Sequence, residues 1–536
     1  MSASPSAHVD TYCRDNLPPE SDWPELLLDR PELTYPDRLN CATALLDDTA
    51  RALGAERPCL LVPGGDTWSY AQLLSTANRI ANLLTTELGV VPGNRVLLRG
   101  PNAPWLVACW FGVLKAGGVV VATMPMLRAR ELADIHDIAR IDLALCDHRL
   151  LDDLAAGLPG VRTIAYGDSG PDDLTALVAD QPDTHADVAT AAHDVALLAF
   201  TSGTTGRPKA TMHFHRDVLA IADTFSAQVV RPVSDDVFTG TPPLAFTFGL
   251  GGLVVFPLRA GASTLLIERA TPTELAHHIA DHGVTVCFTA PTAYRAMVAS
   301  GEVGLLSTLR RAVSAGEHLD ETTWHAFHEA TGVRLIDGIG ATEMLHVFIS
   351  AADDDIRPGA TGRAVPGYEA RVVDAHGDPV PAGTPGRLAV KGPTGCRYLA
   401  DPRQKVYVEN GWNITGDTFR RDDDGYFWFC ARSDDMIISS GYNIAAPEVE
   451  EAVLSHPDVL ECAVVGVSDE ARGAVVKAVV VIREGVPRDD ELAQQIQAQV
   501  KAVIAPYKYP RVIEFVDALP RTATGKIQRF RLRQGH

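Results

Sequence analysis

The sequence predicts an α/β protein: a large N-terminal domain of helix-covered, mostly parallel sheets that includes a small β subdomain, then a small α+β domain. Three observations carry this. From about residue 65 to 350, segments alternate between helical and strand periods, the pattern of parallel strands joined by covering helices. Between about 360 and 430 the texture changes to short strands and Gly/Pro turns such as Val380-Pro381-Ala382-Gly383-Thr384-Pro385-Gly386. From about Asp434 onward there are two strand-like runs, two helical stretches and a basic tail, enough for a separate small unit.

Element by element, Trp68 to Leu88 carries apolar residues at helical spacing, and Arg95 to Leu98 reads as a strand. Trp105 to Met126 is the most apolar stretch, but Lys115, Gly117 and Gly118 interrupt it. It therefore reads as a core helix followed by the strand Val119-Val120-Val121, and a membrane span is not expected. Val195 to Phe200 reads as a buried strand, Glu274 to His282 as a helix and Val284 to Phe288 as a strand. His277, His278 and Asp281 fall on that helix at a spacing that suits an amphipathic face and no acyltransferase site. Near the end, Pro447 to Leu454 is a helix, and Glu461 to Val467 and Val475 to Ile482 are strands.

At 536 residues the chain exceeds what one hydrophobic core serves. Its net charge of −21 argues against a nucleic-acid or anionic-membrane partner. Nine scattered cysteines without a C-x-x-C pair fit reduced thiols, and the N-terminus has no apolar signal core, so a cytoplasmic protein is expected.

The most informative stretch is Thr201-Ser202-Gly203-Thr204-Thr205-Gly206-Arg207-Pro208-Lys209, directly after the strand ending at Phe200. Glycines bring backbone N–H groups close to an anion and hydroxyls add donors, so the loop can wrap a polyphosphate. It is not a Walker A loop, because the glycine and lysine spacing differs and Pro208 obstructs a helix. This order resembles the phosphate loop of the acyl-adenylate-forming (ANL) superfamily, which activates carboxylic acids with ATP.

The resemblance runs from about residue 60 to 531 and implies the ANL fold and a set of roles. Asp337-Gly338-Ile339-Gly340-Ala341-Thr342-Glu343 is similar to the second signature, in which Thr342 would contact the α-phosphate and Glu343 would hold Mg²⁺ together with Thr204. Taken alone, its G-x-G would be an ordinary turn. Ser314-Ala315-Gly316-Glu317 resembles the segment beside adenine and the acyl pocket. Thr415-Gly416-Asp417, read as a turn, and Arg432 resemble the ribose contacts. Asp434, in Arg432-Ser433-Asp434-Asp435, matches the hinge, which implies an adenylation domain over 1–433 with a β subdomain at 360–430. The mobile C-terminal domain would span 434–536. Lys526, in Pro520-Arg521-Thr522-Ala523-Thr524-Gly525-Lys526, resembles the catalytic lysine that bridges the carboxylate and the α-phosphate. Gly441, in Ser439-Ser440-Gly441-Tyr442, matches the pantetheine tunnel, and Arg472, Tyr507 and Lys508 fall where coenzyme A's nucleotide end is held.

The acid pocket is implied by Pro242 to Gly251 and Met344 to Phe348, which resemble the benzoate-type CoA ligases. There Thr247, Phe248, Phe256, Ile339 and His346 would line a flat, short site for an aryl carboxylate. Asp15 to Pro19 and Met212 to Asp217 resemble the 2-aminobenzoate–CoA ligase group, so 2-aminobenzoate is the expected acid and benzoate or hydroxybenzoate the alternatives. A free-standing adenylation enzyme that loads a carrier protein, a luciferase-type enzyme and a non-catalytic nucleotide binder remain rival readings. The expected assembly is a monomer or homodimer.

Overall fold

Apolar runs buried on both faces build two open sheets in the N-terminal part of the chain. The computed structural model describes residues 5–168, 170–201, 208–432, 436–439, 442–469, 473–504, 508–521 and 527–533. One sheet has six strands in the order Arg162–Tyr166, Leu143–Asp147, Arg95–Arg99, Val119–Thr123, Val195–Thr201, Lys209–Phe214. Its neighbours are parallel except the last pair, which is antiparallel and sets Thr201 opposite Lys209.

The second sheet has nine strands, with a parallel centre made of Pro58–Leu61, Ser263–Leu265, Val237–Gly240, Val286–Thr289, Arg311–Ala315 and Leu335–Gly340. Its edges are antiparallel: Trp68–Ser69 on one side, then Val347–Ser350 and Arg363–Ala364 on the other. The alternation of periods is the same for one long sheet or two, so this partition is not legible in the sequence.

Local chemistry explains the covering helices. Tyr70–Thr86 begins at a capping box in which Ser69 and Gln72 satisfy each other's backbone N–H groups. Pro104–Lys115 is buried all round except at Trp105, as expected of a helix apolar on every face. Its final residue, Lys115, is fully buried with its ammonium held by Asp47 at 2.7 Å and Asp187 at 2.9 Å.

A third, five-stranded sheet combines Glu369–Val373, Gly386–Lys391, Trp412–Arg421, Val408–Glu409 and Phe427–Arg432. The chain forms two compact units. One holds Met1–Ala370, Ala389–Ile414 and Gly425–Phe427; the other holds Arg371–Leu388, Thr415–Asp424 and Trp428–His536. In the second unit, Val459–Asp469 and Gly473–Ile482 form a long antiparallel pair, and Val512–Phe515 adds in parallel. Helices Ala446–Leu454 and Asp490–Val503 supply Val449, Val453 and Ile496 to its core.

The segment Cys396–Leu399 lies along Lys209–Phe214 in the first unit, bonded by Met212 N–H to Arg397 O (2.8 Å) and Leu399 N–H to Ala210 O (2.9 Å). Arg397 then donates to Asp217 at 2.9 Å, and both side chains are 0% exposed. Burial opposes the charge on Asp217, but Arg397 and His213 outweigh it and hold its pKa far below the usual carboxylate range. Arg397→Met should therefore cost about 3–5 kcal/mol by stranding a buried charge, measured by urea unfolding. Because the folded pKa is depressed, that contribution is present above the ordinary aspartate range and lost only in acid. The parent should show no change from this group between pH 5 and 8, whereas in the variant burial opposes the Asp217 charge, so the difference should widen as pH rises.

Candidate active site

In open α/β sheets the ligand crevice lies beyond the carboxyl ends of the strands. The strand Val195–Thr201 ends at such a position, against the turn Thr342–Met344 that follows Leu335–Gly340. Lys209, opposite Thr201, donates from Nζ to Glu343 Oε1 at 3.3 Å and to the Tyr398 hydroxyl at 2.5 Å. Tyr398 donates in turn to Glu343 Oε1 at 2.5 Å. Burial and then the Glu343 charge push the Tyr398 phenol well above its ordinary pKa, so it remains a donor. The Lys209 ammonium also lies 4.5 Å from the centre of the Tyr398 ring.

Tyr398 is a site residue that the sequence reading missed. Its only signal was an unremarkable Arg-Tyr-Leu segment in a Gly/Pro-rich region.

A buried frame fixes the Thr342–Glu343 turn. His213 Nε2 donates to the Thr342 carbonyl at 2.8 Å, and its Nδ1 faces Asp217 at 3.9 Å. Thr394 donates to the Met344 carbonyl at 2.7 Å. The stretch Met212 to Asp217 thus serves the turn from beneath, with His213, His215 and Asp217 all fully buried.

Three residues past Glu343 the chain enters an aromatic cage. Leu345 is held at φ 66°, a left-handed conformation uncommon for a leucine and often found at functional sites. It turns His346 into a cluster with ring centres at 4.6 Å from Phe256, 5.3 Å from Phe225, 5.6 Å from Phe248 and 6.5 Å from Phe288. Burial lowers the His346 pKa to about 3, with the Phe248 backbone opposing, so the ring is neutral. Neither ring nitrogen has a hydrogen-bond partner of normal geometry.

Thr247 opens the short helix Thr247–Leu250 that carries Phe248, and Ile339 lies on the strand leading to Gly340. Phe225 and Phe288 were not foreseen. Two walls are π-helical, Ala222–Val230 and Gly251–Val255, a geometry frequent at functional sites. A Cβ at Gly251 would lie 2.3 Å from His346 Cδ2, so glycine there gives the imidazole its space.

Neighbouring strand ends bring two further motifs together, pairing Ser314 with Asp337 and Ala315 with Gly338. Gly316 turns the chain away at φ 89°, and Glu317 follows it. Ser314 Oγ and Asp337 Oδ1 are buried without hydrogen-bond partners. Burial raises the Asp337 carboxyl to about 8, against the Gly338 N–H and the Thr361 hydroxyl.

Glu343 contributes a single carboxylate, and no group of three His, Cys, Asp or Glu that could hold a metal occurs among the described residues. One carboxylate completed by nucleotide phosphate oxygens and water suits Mg²⁺, which binds through few protein ligands. The donor set fits.

In the second unit, Thr415-Gly416-Asp417 is not a turn. It lies inside the strand Trp412–Arg421, where Gly416 at φ 77° permits a local kink. Asp417 is buried, with its N–H bonded to Thr415 Oγ1 at 3.3 Å. Arg432 ends a strand of the five-stranded sheet. Lys508 is paired with Glu448. Ser202, Gly203, Thr204, Thr205, Gly206, Asp434, Gly441, Arg472, Tyr507 and Lys526 lie outside the described residues.

Residues 46–398 match the AMP-binding enzyme family and residues 448–526 match the AMP-binding enzyme C-terminal domain. The chain belongs to the AMP-binding enzyme family. Among family members, it is 35% identical to the benzoate–CoA ligase of Thauera aromatica over 94% of this chain and 97% of that one. It is 36% identical to the 3-hydroxybenzoate–CoA ligase of Aromatoleum sp. (strain CIB), covering 90% and 94%. The solved anthranilate CoA ligase AuaEII, in complex with anthranoyl-AMP, superposes with a TM-score of 0.88 at 33% identity, covering 94% and 98%. The benzoate CoA ligase of Burkholderia xenovorans LB400 gives 0.84 at 31%, covering 92% and 100%. The expected α/β architecture is therefore the family's own.

Two substitutions probe the geometry. Tyr398→Phe removes a donor to a charged group, an interaction of about 1.5–3 kcal/mol, so kcat/KM for ATP should fall by roughly tenfold or more with the fold intact by circular dichroism. For Asp337, the raised folded pKa means stability falls as pH rises between the unfolded value and about 8. Relative to Asp337→Asn, the parent should lose about 2–3 kcal/mol from pH 5.5 to 7.5 in urea unfolding.

Proposed function

We propose that the chain is an ATP-dependent, AMP-forming aryl-acid–CoA ligase. An aryl carboxylate attacks the α-phosphorus of ATP to give the aryl-adenylate and pyrophosphate, and coenzyme A then displaces AMP to give the thioester. The observation that carries this reading is the distance along the chain between two chemistries. Glu343, tied to Lys209 and Tyr398 on the phosphate side, stands three residues from His346 in the aromatic cage. An acid held by its ring in the cage directs its carboxylate toward the phosphates.

The roles follow the chemistry of each group. The loop Thr201 to Lys209 wraps the phosphates, and Thr342 contacts the α-phosphate. Mg²⁺, held by Glu343 and Thr204, would neutralise phosphate charge when bound. Ser314 and Asp337 face adenine; Asp417 and Arg432 take the ribose. Lys526 bridges the carboxylate and the α-phosphate as charge redistributes, and losing such a preorganised donor typically costs about 10²–10³ in rate. The C-terminal domain, 434–536, turns about Asp434 after adenylation so that Gly441, Arg472 and Tyr507 meet coenzyme A.

For the acid itself, 2-aminobenzoate is the reading that the cage supports best. A buried neutral imidazole whose ring nitrogens make no hydrogen bond of normal geometry accepts one from an ortho amine, and the similarity to an anthranilate CoA ligase points the same way. A neutral hydrogen bond contributes about 0.5–1.5 kcal/mol, so 2-aminobenzoate should exceed benzoate in kcat/KM by roughly three- to tenfold. His346→Leu should erase that preference.

The test is a panel of substituted benzoates, cinnamates and short fatty acids, with pyrophosphate release and CoA-ester formation followed separately. Aryl-dependent pyrophosphate release without use of free coenzyme A would favour a carrier-protein adenylation enzyme; equal use of benzoate and 2-aminobenzoate would remove the ortho amine from the reading. Lys526→Ala should abolish adenylation but leave thioester formation from pre-made adenylate largely intact. Asp434→Pro should do the reverse.

A further inference from the structure

Two consecutive prolines, Pro242 and Pro243, begin the segment that delivers Thr247 and Phe248 to the aromatic cage. Proline has no N–H, so this stretch has few donors with which to fix its own path. Its carbonyls are nonetheless closely placed: a Cβ on Gly249 would stand 2.2 Å from Pro243 O and 2.7 Å from Pro242 O. Phe246 N–H bonds to Pro243 O at 2.9 Å and Leu250 N–H to Phe246 O at 2.8 Å. A segment this crowded fits only one path, and something outside it must set that path.

Asn102 supplies the setting. Its Nδ2 donates to Pro242 O at 3.1 Å and its Oδ1 accepts from Leu244 N–H at 2.9 Å. One planar amide thus brackets Pro243 from both sides, in the role of an adjacent strand's backbone. Asn102 is 6% exposed, and its bond to the Leu244 N–H is buried, shielded from competing water. It belongs to the six-stranded sheet's side of the unit, between the strand Arg95–Arg99 and the helix Pro104–Lys115.

That location is itself rigid. The Tyr166 hydroxyl donates to Arg99 O at 3.2 Å, and a Cβ on Gly100 would stand 2.0 Å from that hydroxyl. The fully buried Arg99 guanidinium bonds the carbonyls of Met124 (2.8 Å), Pro125 (3.0 Å) and Leu127 (2.8 Å). Asn102 therefore transmits the position of a fixed loop on one sheet to a loop on the other.

We propose that Asn102 is a positioning residue that sets acid affinity and selectivity by fixing the Pro242–Gly249 segment, without touching the acid. This rests on the aryl-acid reading for its substrate but on hydrogen bonds alone for its mechanism. Asn102→Leu keeps the branched, four-atom side-chain skeleton and removes both bonds. It should raise KM for benzoate by roughly tenfold while KM for ATP stays within about twofold, since truncating paired buried groups strands their partners. The kcat/KM ratio between benzoate and its ring-substituted analogues should shift by about threefold or more. Asn102→Asp, which retains the acceptor for Leu244, should recover part of the loss and serves as the measured variant if Asn102→Leu does not fold.

Hydrogen exchange at residues 244–249 separates the two layers of the proposal, because it needs no substrate. Exchange at the Leu244 amide should accelerate at least about tenfold in the folded variant. Unchanged exchange there, or equal shifts in both KM values, overturns the role of Asn102. Wild-type protein that releases pyrophosphate with no aryl acid overturns the functional reading instead, and accelerated exchange would still support Asn102 as the residue that fixes the segment.

Discussion

The Tyr398 hydroxyl is the point on which the site depends. It meets Lys209 from the start of the strand Lys209–Phe214 and Glu343 from the turn after Leu335–Gly340, the outermost parallel strand of the other sheet. These three residues are far apart in sequence: Tyr398 lies along the strand that begins at Lys209, and Glu343 comes from the other sheet. A phenol suits the position because it donates to the carboxylate and accepts from the ammonium at once. Were it absent, a buried carboxylate and an ammonium would face each other at 3.3 Å with fewer bonds to orient them, and a desolvated ion pair without good geometry contributes little.

The frame beneath Tyr398 has the same logic. Arg397 points away from the site to neutralise Asp217, while the next residue points into it. Adjacent residues of an extended segment alternate sides, so one short run anchors a buried charge and presents a functional hydroxyl. On Lys209–Phe214, Lys209 and His213 are an even number of residues apart and share one face, where Lys209 meets Glu343 and His213 meets the Thr342 carbonyl. Bonds from His213 to the Thr342 carbonyl and from Thr394 to the Met344 carbonyl hold the turn that carries Glu343 from both ends.

Much of this was legible in the sequence because it was written in contiguous runs. Val195–Thr201, Pro104–Lys115 and Val459–Asp469 lie close to where their periodicity places them, and the aromatic residues Phe248, Phe256 and His346 do converge. What stayed hidden depends on contacts between distant segments. Tyr398, Arg397 and Asn102 carry no local pattern, and their roles exist only once two sheets and a long return segment are in place. The Gly416 kink was read as a turn because Thr-Gly-Asp favours turns locally; pairing along Trp412–Arg421 overrides that preference. The π-helical walls were invisible for a different reason, since an apolar run has the same composition whether its bonds skip four residues or five.

Those walls have an evolutionary consequence. In an α-helix each residue advances the side-chain direction by about 100°, and a π-helical stretch is a helix that has absorbed an extra residue. Deleting one residue within Gly251–Val255 would return the stretch to α-helical pitch, keeping Phe256 in register but changing which part of this wall faces His346. A relative could thus acquire a differently shaped acid site by a change in chain length alone, leaving every aromatic residue in the sequence and the phosphate side undisturbed.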